Sequence, residues 1–132
     1  MAEFTIPKNG TICWRELATQ NLSDAEDFYH EMFGWHLEQS KVTNMQYSEI
    51  HIDGKAVGGM MAIDENWGPE PPPSHWTAYV AVDSADETAE KITANGGTIR
   101  HGPFDAPGVG RIALASDPCG ANFAIIQFER PS

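Results

Sequence analysis

Cysteine is nearly absent from this chain of 132 residues. Cys13 and Cys119 are the only two, too few for a disulfide framework and spaced like no zinc motif. Positive charge is scarce as well. Lys and Arg number 8 against 19 Asp and Glu, a formal net charge of −11. Phosphate backbones are held by basic surfaces, so this balance argues against a nucleic-acid partner. No apolar run approaches the roughly 20 residues that cross a bilayer, which argues against a membrane partner. The first residues lack the basic start and apolar stretch of a secretory leader. Nucleophile-elbow, zinc-protease, phosphate-loop and dinucleotide fingerprints are all missing. These absences lead to the expectation of a reduced, cytoplasmic, soluble protein. The 41% hydrophobic content is that of a globular chain, long enough for one domain or two small modules sharing a core.

What is present is a repeat. Thr11–Leu17 reads as a strand, carrying β-branched and aromatic residues after Gly10. Ala25, Phe28, Tyr29, Met32 and Phe33 follow helical spacing, with Ser23 expected as N-cap, Glu26 at the capping-box position and Gly34 as the stop. Trp35–Gln39, Met45–Ile52 and Ala56–Ile63 read as strands, the last two joined by a turn at Asp53-Gly54. Gly58-Gly59 signals a bulge or a close approach by another group. Residues 64–74 carry Trp67, Gly68, Pro69, Pro71, Pro72 and Pro73, which reads as an extended linker through which no helix or central strand runs. The pattern then restarts with a strand at His75–Val82 and a helix from about Asp86 to Asn95. A short strand at Thr98–His101, a loop at 102–108, a strand at Gly110–Ser116, a turn at 117–120 and a last strand at Asn122–Phe128 follow. The order is βαβββ, linker, βαβββ, with Trp14 and Trp76 at equivalent places in the two halves.

This order resembles the vicinal oxygen chelate superfamily of glyoxalase I, bleomycin-resistance proteins and extradiol dioxygenases, over about residues 10–128. The helix from Asn21 to Tyr29 with Met32-Phe33-Gly34-Trp35 is similar to the first-helix signature. Val80-Ala81-Val82-Asp83 with Asn95-Gly96-Gly97 resembles the opening of the second module, and Asp117–Phe123 the turn into the final strand. Cys13-Trp14 and Gly102–Arg111 are similar to a bacterial subgroup of predicted enzymes related to lactoylglutathione lyase. The resemblance implies an α+β fold in which two βαβββ modules, about 10–63 and 75–128, form one curved mixed-sheet cup within a single domain. A homodimer is expected.

Such enzymes place a divalent metal in the cup. The implied ligand positions fall on Trp14, Gly59, Trp76 and Ala124, none of which binds a metal, so no cofactor is expected. The improvised alternative is Glu16, His51 and His75 holding Zn, Ni, Mn or Fe. Without a metal, Trp14 and Trp76 would face each other across the cup, either as walls for a flat or apolar ligand or as filler of the vacant space. Tyr47, Gly59 and Ala124 are the further expected lining. Glu16 is the candidate general base and Arg111 the candidate partner of developing negative charge. Their bland alternatives are an ion pair with a neighbouring arginine and a solvated surface charge.

Three functions stay open. The first is metal-free binding of a small aromatic or apolar metabolite. The second is a lyase or isomerase resembling lactoylglutathione lyase, with or without metal. The third is a protein-association module with a filled cup.

Overall fold

The computed structural model describes residues 6–40 and 47–129. Within them the chain is α+β and runs through two βαβββ modules in succession. The first comprises β1 (Ile12–Thr19), α1 (Leu22–Phe33), β2 (His36–Gln39), β3 (Tyr47–Ile52) and β4 (Lys55–Ala62). The second comprises β5 (His75–Ala81), α2 (Ala85–Ala94), β6 (Thr98–Ala106), β7 (Gly110–Ser116) and β8 (Asn122–Phe128). Two compact units result. One is Trp14–Thr77; the other combines the described residues up to Cys13 with those from Ala78 onward.

In the Trp14–Thr77 unit the strands lie in the order β2-β3-β4-β1. β1 runs parallel to β4, while β2, β3 and β4 are antiparallel neighbours. Strand side chains alternate between faces, and this alternation divides the sheet by chemistry. Leu17, Ile50 and Met60 are buried on one face, against Leu22, Ala25 and Tyr29 of α1. Glu16, Gly59 and Glu49 are register partners in a row across β1, β4 and β3, on the face turned away from the helix.

Helix α1 is capped two residues earlier than its sequence suggests. Ser23 was the expected cap, but Asn21 holds that position, with extended backbone (φ −142°) and a side chain that accepts from Asp24 N–H at 3.0 Å. Asn21 has the same capping chemistry as Ser23 and meets it first along the chain, leaving Ser23 inside the helix. Glu26 therefore does not complete a capping box; its carboxylate accepts from the Ser48 hydroxyl on β3. Gly34 ends the helix as expected, in the left-handed conformation (φ 71°) and donating to His30 O.

The linker is more structured than an extended segment. A 3-10 turn spans Glu65–Trp67, short enough to fit before the prolines begin. Gln20 then pins the downstream end to β1: its backbone N–H donates to the Ser74 hydroxyl and its side chain to Pro72 O.

In the other unit the order is β5-β8-β7-β6, with β5 parallel to β8 and the remaining pairs antiparallel. Its core is Ala85, Ala113 and Ile125, with Val80, Val82, Ile92 and Phe123 packed around it. Helix α2 starts at the Ser84 cap, which accepts from Glu87 N–H. Strand β6 corrects the sequence reading. Residues 102–106, expected in a loop, continue the strand to Ala106, with register shifts between Ile99 and Phe104. Gly102 and Pro103 are tolerated because β6 is the outermost strand of its sheet and takes them up in an irregularity. The remaining strands match the expected segments to within a residue or two, although Met45, the expected start of β3, lies outside the described residues. Among the described residues no helix is long and apolar enough to cross a membrane.

The cap assignment yields a direct check. Asn21→Ala should cost about 1 kcal/mol of unfolding free energy, whereas Ser23→Ala should stay within about 0.5 kcal/mol of the parent. Urea denaturation of the two variants side by side measures both.

Candidate functional site

The face of the Trp14–Thr77 sheet opposite α1 carries a chain of three polar groups. The indole Nε1–H of Trp14 donates to the Tyr47 hydroxyl at 3.0 Å. That hydroxyl donates onward to Glu16 Oε2 at 2.8 Å. Trp14 and Glu16 are two residues apart on β1 and so share a face. Tyr47 comes from the far side of β4, where it pairs with Met61. All three side chains are half-buried.

Gly59 makes this reach possible. A Cβ at position 59 would overlap the Tyr47 hydroxyl and ring. Tyr47 therefore lies across the bare backbone of β4 to span two strand spacings, about 10 Å from β3 to β1. The close approach expected at the Gly58-Gly59 pair is thus made at Gly59 by a side chain of the same unit. Gly58 is constrained differently, because a Cβ there would strike Arg15 O of the paired strand.

The direction of the hydrogen bonds matters chemically. Indole nitrogen can only donate, so the Tyr47 oxygen must accept from Trp14 and turn its own proton toward Glu16. Glu16 accepts it through Oε2, and a carboxylate at this place is a group that can act as a base. A half-buried carboxylate held by a fixed donor keeps its orientation before a substrate arrives.

Among the other expected site residues, Trp76 has different surroundings from Trp14. Its Nε1–H donates to the Tyr29 hydroxyl at 3.2 Å, and its ring meets Tyr29 and Trp35 edge-on at centroid distances of 5.5 and 6.1 Å. Trp35 stacks on Tyr29 with an interplanar angle of 7°. Trp76 thus belongs to the aromatic cluster around α1. Ala124 is fully buried on β8, paired with Tyr79 and Leu114. Arg111 donates to Asp86 and to Asp105. The hydrogen bonds it donates, first to Asp86 and then to Asp105, hold its guanidinium pKa above the ordinary arginine value.

The three residues considered as improvised metal ligands are not brought together. Glu16 accepts from Tyr47. His51 lies beside Glu38 and Glu49 on the outer strands. His75 contacts Pro73 O through Nδ1, and its ring faces Trp67. Among the described residues no three His, Cys, Asp or Glu side chains are already grouped to hold a metal ion. The positions implied by the family resemblance fit one no better. Trp14 and Trp76 offer indole N–H groups that are donating elsewhere, and Gly59 and Ala124 carry no donor atom at all.

Sequence reasoning named Trp14, Glu16, Tyr47 and Gly59 separately but missed the hydrogen-bonded chain that joins them. It also passed over Glu38 and His36 as partners of His51. The period-2 spacing of His36 with Glu38, and of Glu49 with His51, was the signal available for that pairing.

A family model described as Glyoxalase/Bleomycin resistance protein/Dioxygenase superfamily matches residues 11–125. "Putative glyoxylase CFP32" of Mycobacterium tuberculosis is 37% identical over 127 residues, covering 92% of this chain and 46% of that protein. "Anthracycline biosynthesis protein DnrV" of Streptomyces peucetius is 32% identical, covering 88% of this chain and 46% of its own length. The chain thus spans just under half the length of these two relatives. Among solved structures, methylmalonyl-CoA epimerase from Mycobacterium tuberculosis superposes with a TM-score of 0.60 at 16% identity, over 98% of this chain and 94% of that one. Hypothetical protein BH1468 from Bacillus halodurans C-125 gives 0.65 at 14% identity, over 95% and 99%. At such identities the likeness is one of fold.

Gly59→Ala tests the arrangement. The obstructed atoms are the far end of a side chain, so the protein should still fold, with Tyr47 displaced and Trp14 and Glu16 losing their shared partner. The expected result is a changed Trp14 fluorescence and near-ultraviolet circular dichroism with an unchanged far-ultraviolet spectrum.

Proposed function

Because the chain belongs to the glyoxalase/bleomycin resistance protein/dioxygenase superfamily, we propose that it is an isomerase or lyase whose base is Glu16. Its substrate class is a small molecule with a C–H bond acidified by a neighbouring carbonyl. The observation that carries this reading is the Trp14–Tyr47–Glu16 chain. It presents an oriented carboxylate on a sheet face that the helix of its own unit does not cover. The name of the mycobacterial relative, a putative glyoxylase, supports the same class of reaction.

In this reaction Glu16 takes the proton from carbon, and the electron pair left behind delocalises onto the carbonyl oxygen. Return of the proton to the same carbon, or to its neighbour, gives an isomer. Expulsion of a leaving group from the adjacent atom gives a lyase product. Tyr47 holds Glu16 in place during the transfer, and Trp14 keeps the Tyr47 proton pointed at the carboxylate. No oxidant or reductant is consumed.

A second reading rests on the aromatic character of the same site. The Trp14 and Tyr47 rings offer a surface on which a flat ligand can stack, and one relative is named for anthracycline biosynthesis. In that reading the site binds without transforming its ligand.

Proton exchange distinguishes the two. The protein is incubated in D₂O with thiol adducts of 2-oxoaldehydes, α-hydroxyketones and branched acyl thioesters, and deuterium at the acidic carbon is followed by NMR. At least one class should exchange. Glu16→Gln should abolish that exchange, and Tyr47→Phe, which removes only the group that positions the base, should slow it about 10- to 100-fold, less than the factor of about 10²–10⁴ supplied by the acid–base group itself. Exchange that persists undiminished in Glu16→Gln overturns the assignment of the base. Ligand binding without exchange in any class favours the second reading.

A further inference from the structure

Helix α1 leaves much of its apolar surface uncovered. None of its residues is buried. Phe28, Met32 and Phe33 are 55%, 55% and 63% exposed, and Trp76, packed beside the helix, is 40% exposed. These side chains form one patch. Phe28 and Met32 are four residues apart and share a helix face. The rings of Phe28, Phe33 and Trp76 all gather on Tyr29, at centroid distances of 5.1, 6.1 and 5.5 Å. A large side chain of this kind covers about 150–250 Å², so the exposed halves of four amount to roughly 400 Å². Apolar residues scattered singly over a surface need no explanation, but a contiguous patch of this size marks an interaction site. At the C-terminal end of the helix the patch runs into an open cleft of about 550 Å³, whose walls include Phe33, Ile52, Glu38 and Asp53.

The charge around the patch is of one sign. Asp24 precedes Phe28 by one helical turn, and Asp27 and Glu31 form the adjoining row on the helix. No Lys or Arg occurs between Arg15 and Lys41. The last carbonyls of the helix add partial negative charge where it meets the cleft.

We propose that this face of α1 is a docking surface for a basic amphipathic helix of another protein, one with a stripe of apolar residues flanked by Lys and Arg. Charge complementarity selects this partner. Its apolar stripe would cover Phe28, Met32 and Trp76 while its cations meet Asp24, Asp27 and Glu31. A second copy of this chain would instead bring the same acids to the contact. The patch is also half of the roughly 800 Å² that each side of a stable subunit interface buries. A single helix laid along α1 matches that smaller area. The surface lies across the sheet from Glu16, so the inference does not depend on the function proposed there.

Fluorescence anisotropy of a labelled synthetic helix, with Leu at helical spacing and Lys at the remaining positions, tests this on the full chain. The peptide should bind saturably at one equivalent, and more weakly as salt is raised. The same peptide with Glu in place of every Lys should not bind. Phe28→Ser combined with Met32→Ser should weaken binding about tenfold or more. Asp27→Lys combined with Glu31→Lys should weaken it as much and shift the preference toward the Glu peptide. Glu87→Lys combined with Glu90→Lys, on α2, changes the net charge equally and should bind as the parent does. All six substituted side chains are exposed, far-ultraviolet circular dichroism confirms that each variant is folded, and the comparison of the two peptides needs no variant at all. The proposal is overturned if neither peptide binds, if both bind alike, if the α2 reversal weakens binding as much as the α1 reversal, or if the Phe28 and Met32 double variant binds like the parent. It is overturned equally if sedimentation of the protein alone shows a dimer that this double variant dissolves, which would give the face to a second copy.

Discussion

The missing side chain at Gly59 sets the terms for the polar face of the Trp14–Thr77 unit. Tyr47 can cross β4 only over backbone that carries no Cβ. Having crossed, its hydroxyl is the one atom that both accepts from Trp14 and donates to Glu16. A residue of any other type at 59 would push the phenol away and take from Trp14 and Glu16 the partner they share. The bond directions then follow without further choice, since indole cannot accept and carboxylate cannot donate. A small steric permission on one strand thereby orients a base on another.

The same sheet uses its opposite face for stability. Leu17, Ile50 and Met60 are buried against α1, which is held at one end by Asn21 and at the other by Gly34. The aromatic cluster of Tyr29, Phe33, Trp35 and Trp76 packs around the last turns of that helix. Trp76 thus anchors the start of β5 to the unit that precedes it in sequence, consistent with the boundary falling after Thr77. Strand alternation divides most of the polar groups from the packing, the Ser48–Glu26 contact on the helix side being an exception. One face carries Trp14, Glu16, Tyr47, Glu49 and Glu38, and the other carries the core.

Charge is handled locally. Arg111 is clamped by Asp86 and Asp105, and each of the outer-strand histidines has at least one carboxylate beside it. A chain with a net charge of −11 gains from placing its few cationic or protonatable groups where several carboxylates can share them, because the pairing offsets repulsion among neighbouring acids.

By itself the sequence determined the order and kind of the elements. Helical spacing over Ala25–Phe33, alternation in the strands, and Gly34 and Asp53-Gly54 as stops are local signals, written within a few residues of where they act. The α+β class and the βαβββ repeat follow from them. The cap at Asn21 rather than Ser23, and the extension of β6 through Gly102 and Pro103, were not legible. Two residues with the same capping chemistry compete at the first, and at the second only the position of β6 at a sheet edge permits the irregularity. Tertiary structure alone decided which candidates act together. Glu16 and Tyr47 are 31 residues apart in sequence and meet because parallel pairing of β1 with β4 sets Glu16 beside Gly59. Trp14 and Trp76 look equivalent in the repeat and differ in the structure, because hydrogen-bond partners depend on what neighbouring strands and helices bring near. Periodicity reports which face a residue occupies; which residue it meets on that face is decided only when strands from distant parts of the chain take up their register.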